Sequence, residues 1–172
     1  KAISDSGISV DQIAAMTVDT TCCSVVPLDD SGNPVRPALI WMDVRSAEQA
    51  EQMVATEDDA LRSNSNGSGP VSAEWMIPKA LWIKQNEPEN FGRAVTICEY
   101  QDYINLHLTG RLISSIYNVS TRWHCDYTGD GVPKSLLTTL DLGELVEQWP
   151  QDVLRLRDLF GGLTPRAAYN ME

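Results

Sequence analysis

Three short apolar runs crowd into the first 41 residues, with polar breaks between them. Residues 13–18 form the first. Cys22-Cys23-Ser24-Val25-Val26-Pro27-Leu28 follows the break Asp19-Thr20-Thr21, and Val35-Arg36-Pro37-Ala38-Leu39-Ile40-Trp41 is the third. Their β-branched content and their bounded lengths predict strands. Residues 29–34, rich in Asp, Ser, Gly, Asn and Pro, predict a turn. Beyond residue 45 the apolar spacing becomes helical. Residues 46–61 carry Ala47, Ala50, Met53, Val54 and Leu61 among Glu and Gln. Residues 72–85 present Ala73, Ile77, Ala80, Leu81 and Trp82, with Pro78 predicting a start or a kink. Residues 99–108 read as a third helix, stopped by Thr109-Gly110, and residues 112–116 as a short strand. Leucines between 136 and 145 predict further helices, residues 1–7 the end of one capped by Gly7, and residues 63–70 a loop. Strands grouped in the first third, with helices after them, define an α/β chain.

At 172 residues the chain is about one domain long. Its charge, 13 − 24 = −11, argues against a nucleic-acid or anionic-membrane partner, because phosphate binding needs a positive footprint. No apolar run is long enough to predict a membrane span. The four cysteines (Cys22, Cys23, Cys98 and Cys125) lack zinc-site spacing and are read as reduced thiols in a cytoplasmic protein, with no metal site. The sequons at 66–68 and 118–120 are read as chance matches, and His107 and His124 as surface or satisfied core histidines. The opening Lys1-Ala2-Ile3-Ser4-Asp5 predicts a start inside a longer natural chain.

Four segments could carry chemistry. Asp19-Thr20-Thr21-Cys22 sets an acid and two hydroxyls between apolar runs, either as a strand-end ligand site or as an Asx or Ser/Thr turn. Asp43 and Arg45 stand where strand gives way to helix, facing substrate or serving as cap and surface partner. Glu74 beside Trp75 could bind sugar hydroxyls while the ring packs on the sugar's apolar face; the alternative is a capping box with Ser72. Arg122-Trp123-His124 again offers a cation and an aromatic, or a surface Arg stacked on a buried Trp. A P-loop, a dinucleotide fingerprint and a Gly-x-Ser-x-Gly elbow are all absent.

Taken together and in order, the segments 13–29, Arg-Pro-Ala-Leu-Ile-Trp-Met-Asp-Val-Arg-Ser-Ala-Glu-Gln at 36–49, Val-Ser-Ala-Glu-Trp-Met-Ile-Pro-Lys-Ala-Leu-Trp at 71–82 and Glu-Tyr-Gln-Asp-Tyr-Ile-Asn-Leu-His-Leu-Thr-Gly-Arg at 99–111 resemble the FGGY carbohydrate kinases. The likeness is greatest to the ribulokinase-like and pentulose-kinase branch. It implies part of an actin-like, ribonuclease-H-like ATPase domain, a mixed sheet with flanking helices. Residues 1–172 would be a partial N-terminal, sugar-binding domain. The resemblance implies ATP-dependent phosphorylation of a sugar or polyol, most of all a pentulose such as ribulose or xylulose, with ATP and Mg²⁺ as cofactors of the full-length enzyme. Asp19, Thr20, Thr21 and Cys22 match the stretch that lines the sugar pocket in the family. Glu74 matches a position near the sugar, and Asp43 and Arg45 match its Trp-x-Asp-x-Arg pattern. The lysine that precedes the Trp-His step in ribulokinases is absent, and Arg122 is read as the cation in its stead.

The Asp-x-Gly-Thr phosphate segment is expected before Lys1. The base aspartate and the adenosine-binding domain are expected after Glu172. No catalytic residue is therefore expected within the fragment, which alone would be inactive. A small-molecule sugar is the implied partner, and a homodimer is compatible with the reading. The rival is a non-catalytic small-molecule binding or regulatory module with the same fold.

Overall fold

The computed structural model describes residues 2–63, 71–129 and 131–171. A two-stranded antiparallel ribbon lies at its centre, β1 (Val25–Leu28) against β2 (Thr96–Glu99), with Val26 opposite Cys98 and Val25 opposite Glu99. Successive side chains of a strand point to opposite faces, and here both faces are covered. Val25 and Ile97 join the main core with Met53, Ile77, Leu81 and Trp123. Val26, Leu28 and Cys98 form a second cluster with Tyr103, Leu106 and Leu112. A lone two-stranded ribbon is marginal in water; covering it on both sides makes it stable.

The first run does not form a strand. Residues 13–22 have no ladder partner among the described residues, and an unpaired extended segment leaves its backbone groups to solvent and side chains. The third run is also no full strand. It touches β1 through the bridge of Val25 with Leu39, and Pro34, just ahead of it, bridges Leu28. Pro34 and Pro37 have no N–H to donate, so a continuous ladder cannot form. Between β1 and this run the predicted turn closes with the Asp29 N–H on Asn33 O (2.9 Å) and Gly32 at φ 75°.

The helix predicted over 46–61 is cut short. α2 covers Ala47–Ala55, Glu57 turns left-handed at φ 52°, and a 3₁₀ turn follows over Asp59–Ser63. Asp58 Oδ1 accepts the Ala60 N–H (2.8 Å) and starts that turn. α3 begins at Met76 and runs to Asn86. Pro78 is its third residue, where the missing N–H breaks no helical bond. Short α4 (Pro88–Arg93) returns the chain to β2, a strand that residues 99–108, read as helix from Glu99 on, gave no reason to place. α5 (Tyr100–Thr109) ends on Gly110 at φ 74°, as the sequence predicts.

β3 (Ile113–Ser115) pairs in parallel with β4 (Asp152–Leu154), and α6 (Ile116–Arg122) follows β3. Then come α7 (Lys134–Thr139) and α8 (Leu145–Gln148). The chain's first helix, α1 (Ala2–Ser6), and its last, α9 (Pro165–Met171), bracket these elements. Of the loop predicted over 63–70, Ser63 belongs to the 3₁₀ turn; the rest, the 66–68 sequon included, lies outside the described residues. The four cysteines are unpaired thiols. No helix among the described residues is long and apolar enough to cross a membrane.

Candidate functional site

Serine 115 starts α6 by accepting the Asn118 N–H at 3.3 Å, which sets the helix so that Arg122 falls at its end. The Arg122 guanidinium carbon stands 5.3 Å from the centre of the Trp75 ring. Trp75 follows Glu74 in a Ser72-centred turn: Ser72 Oγ accepts the Glu74 N–H (3.2 Å), and Ser72 O accepts the Trp75 N–H (3.0 Å). The capping box offered as the alternative for Ser72 does not form: α3 starts at Met76 with Trp75 at its N-cap and no side-chain cap bond. Arg122 thus stands against the ring of the residue next in chain to Glu74. His124 approaches the same ring, with centroids 5.4 Å apart.

The Asp19–Cys22 stretch is tied to this neighbourhood by one glutamine. Gln101 Nε2 on α5 donates to Val18 O (3.0 Å), and Asn118 Nδ2 on α6 donates to Gln101 Oε1 (2.8 Å). Asp19 and Thr21 are exposed; Thr20 and Cys22 are half-buried. Asp43 and Arg45 instead engage each other, with Arg45 Nε 2.9 Å from Asp43 Oδ1. The Arg45 hydrogen bond holds the Asp43 carboxyl below its usual range, and the guanidinium also lies 4.8 Å from the Trp82 ring centre. Two hollows stand out on the surface. One of about 550 Å³ is lined by Asp58, Arg62, His124, Asp126 and Lys134 among others, and one of about 340 Å³ by Tyr127, Trp149 and Val153 among others. None of the eight candidate residues lines either.

The sequence reading passed over the buried polar groups behind these residues. Glu99 ends β2 with its carboxylate inside the protein, accepting the Cys23 N–H on Oε2 (3.0 Å) and the Trp123 indole N–H on Oε1 (2.9 Å). Lys79, fully buried on α3, donates to Cys23 O and Ile40 O, both at 2.7 Å. Asp102 Oδ2 accepts the Glu99 N–H (3.0 Å) at the start of α5. Burial pushes the Glu99 carboxyl up, against the pull of the Trp123 and Cys23 N–H groups and of Lys79. It pushes Asp102 up to about 8 and lowers Lys79. The available signal was charge inside apolar context: Glu99 ends the run Ala94-Val95-Thr96-Ile97-Cys98, and Lys79 follows Met76-Ile77-Pro78. Of the two histidines, His107 is exposed with its ring edge against Tyr103. His124 is 2% exposed, and among the described residues neither ring nitrogen makes a hydrogen bond of good geometry.

A half-buried acid, a cation and an indole ring beside a hydroxyl-rich backbone stretch suit a polyhydroxylated ligand in an α/β protein. The chain belongs to the FGGY family of carbohydrate kinases: residues 1–170 match the model of that family's N-terminal domain. A xylulose kinase of Lactococcus lactis is 34% identical over 111 residues, 64% of this chain and 21% of the relative. Ribulokinase 1 of Staphylococcus saprophyticus is 29% identical over 178 residues, 95% of this chain and 33% of the relative. The crystal structure of a "xyloylose kinase" from Brucella ovis superposes with a TM-score of 0.76 at 25% identity, over 91% of this chain and 31% of that one. The chain therefore spans between a fifth and a third of the length of these relatives. The fold is that of the actin-like ATPase domains of such kinases.

Proposed function

We propose that this chain forms part of the sugar-binding domain of an ATP-dependent kinase acting on a pentulose such as ribulose or xylulose. The names of the relatives, xylulose kinase and ribulokinase, support the substrate class. The observation that carries the site is the tether through Gln101, which holds the Asp19–Cys22 stretch to the helix ending in Arg122. In this reading Asp19 and Glu74 accept hydrogen bonds from sugar hydroxyls. Thr20 and Thr21 both donate and accept, and Arg122 donates. The Trp75 face packs against the sugar's C–H face. A pocket that hydrogen-bonds hydroxyls discriminates strongly against analogues lacking them. Asp43 and Arg45, paired to each other with Arg45 against the Trp82 ring, brace the loop rather than reach for substrate.

ATP with Mg²⁺ would supply the phosphoryl group. No group of three or more His, Cys, Asp or Glu among the described residues is arranged to hold a metal ion. The chain's residues bind and orient the acceptor. The test is ATP consumption by the full-length protein across a panel of pentuloses, hexuloses and polyols. Turnover with a pentulose is expected, and failure with every member of the panel overturns the reading.

A further inference from the structure

Cys23 adopts φ 67°, a left-handed conformation that side chains other than glycine rarely take. Such strain persists only where surrounding groups over-determine it. Here two buried ionisable side chains hold it from opposite ends. Glu99 Oε2 accepts the Cys23 N–H (3.0 Å), and Lys79 Nζ donates to the Cys23 carbonyl (2.7 Å). Both side chains are 0% exposed. Each also reaches a second element. The other Glu99 oxygen accepts the indole N–H of Trp123, next in chain to Arg122, and Lys79 also donates to Ile40 O (2.7 Å).

We propose that Lys79 and Glu99 are positioning residues for sugar binding: they lock Cys23 in its left-handed turn and set the Asp19–Cys22 stretch in register with Arg122. The inference rests on the function proposed above and deepens it. Burying charged groups is a weak route to stability, because desolvation offsets most of their attraction. What the arrangement delivers is geometry. One carboxylate grips a backbone N–H beside Cys22 on one side and the indole beside Arg122 on the other, so neither side of the candidate site shifts alone. A carboxylate is the side chain that accepts on both oxygens at once. Glutamine at 99 has the same shape but turns an NH₂ toward one of the two donors.

The experiment uses the full-length protein with Glu99→Gln and, separately, Trp123→Phe, which removes the indole N–H and keeps an aromatic ring. The expected result is a rise of at least tenfold in KM for the pentulose, with KM for ATP within twofold of the unsubstituted protein. A purely structural role would lower the urea midpoint and leave both KM values of the folded enzyme unchanged, and that result overturns the proposal. The half-buried Cys22 thiol supplies a readout that needs no sugar. Its alkylation by iodoacetamide is expected to quicken at least fivefold in Glu99→Gln, as the stretch loosens. If the unsubstituted protein turns over no sugar, the kinase reading fails by itself. The positioning claim is then judged on alkylation alone: a quickened rate sustains it and an unchanged rate refutes it. Where Glu99→Gln does not fold, Trp123→Phe decides by the same criteria.

Discussion

Substituting asparagine for Asp102 keeps the side chain's shape and its acceptor for the Glu99 N–H, while removing one titratable proton. Asp102 is 0% exposed, and burial pushes its carboxyl up to about 8 from an ordinary value of 3.8. The sign follows from proton counting. Between these two values the unfolded chain has released the proton and the folded chain still holds it. Folding stability therefore falls as pH rises through this window, by about 1.4 kcal/mol for each pH unit. The contribution is whole below pH 4 and gone above pH 8. From pH 5 to pH 7.5 it removes about 3 kcal/mol from the native protein that the Asp102→Asn variant keeps. Urea unfolding followed by tryptophan fluorescence at half-unit pH steps measures it, because the difference between the two proteins cancels the titrating groups that do not interact with Asp102. The variant is expected to gain on the native protein steadily across this range. Parallel curves would refute the reasoning, since they would mean that Asp102 is ionised in the folded state at the same pH as in the unfolded one.

Three further outcomes follow from the same structure. His124, pushed down to about 4 by burial, stays neutral while the unfolded chain's histidine protonates below about 6.5, so stability drops by about 1.4 kcal/mol per unit as pH falls from 6.5 to 4; His124→Asn is expected to abolish that slope in the same urea series. Lys79→Met keeps the aliphatic stem but orphans the buried carbonyl of Cys23, while Ile40 O keeps the Asp43 N–H, and about 2 kcal/mol of stability should be lost, read from the urea midpoint at pH 7. Asp19→Ala in the full-length protein is expected to weaken pentulose affinity at least tenfold, about 1.4 kcal/mol, by isothermal titration; an unchanged affinity removes Asp19 from the site.

Local signals were legible where the cause was local. Gly110 closes α5 because its φ of 74° is a glycine conformation, and the turn at 29–33 follows from Asp29, Gly32 and Asn33 whatever surrounds it. The family resemblance was equally readable, since it lies in the order of short motifs, and the match over residues 1–170 bears it out. The strands were harder. Residues 13–18 and 25–28 have similar β-branched composition, yet only the second finds a partner, because pairing depends on what lies alongside. The partner, β2, is more than sixty residues further on, and nothing in the sequence of either strand names the other.

The candidate site divides along the same line. Residue types suited to a sugar, the Asp-Thr-Thr triplet, Glu74 beside Trp75 and Arg122 before Trp123, could be read from the sequence because hydroxyl and indole chemistry belongs to the side chain itself. That Arg45 is taken up by Asp43 and Trp82, and that Glu99 links Cys23 to Trp123, depends on distances across the fold. The sequence by itself determined the α/β class, the family and the chemical inventory, since these are carried by composition, spacing and motif order. Only the tertiary structure decided which runs pair, which charges are buried and which of them hold the Cys23 turn, because burial and hydrogen-bond partnership arise when segments distant in the chain come together.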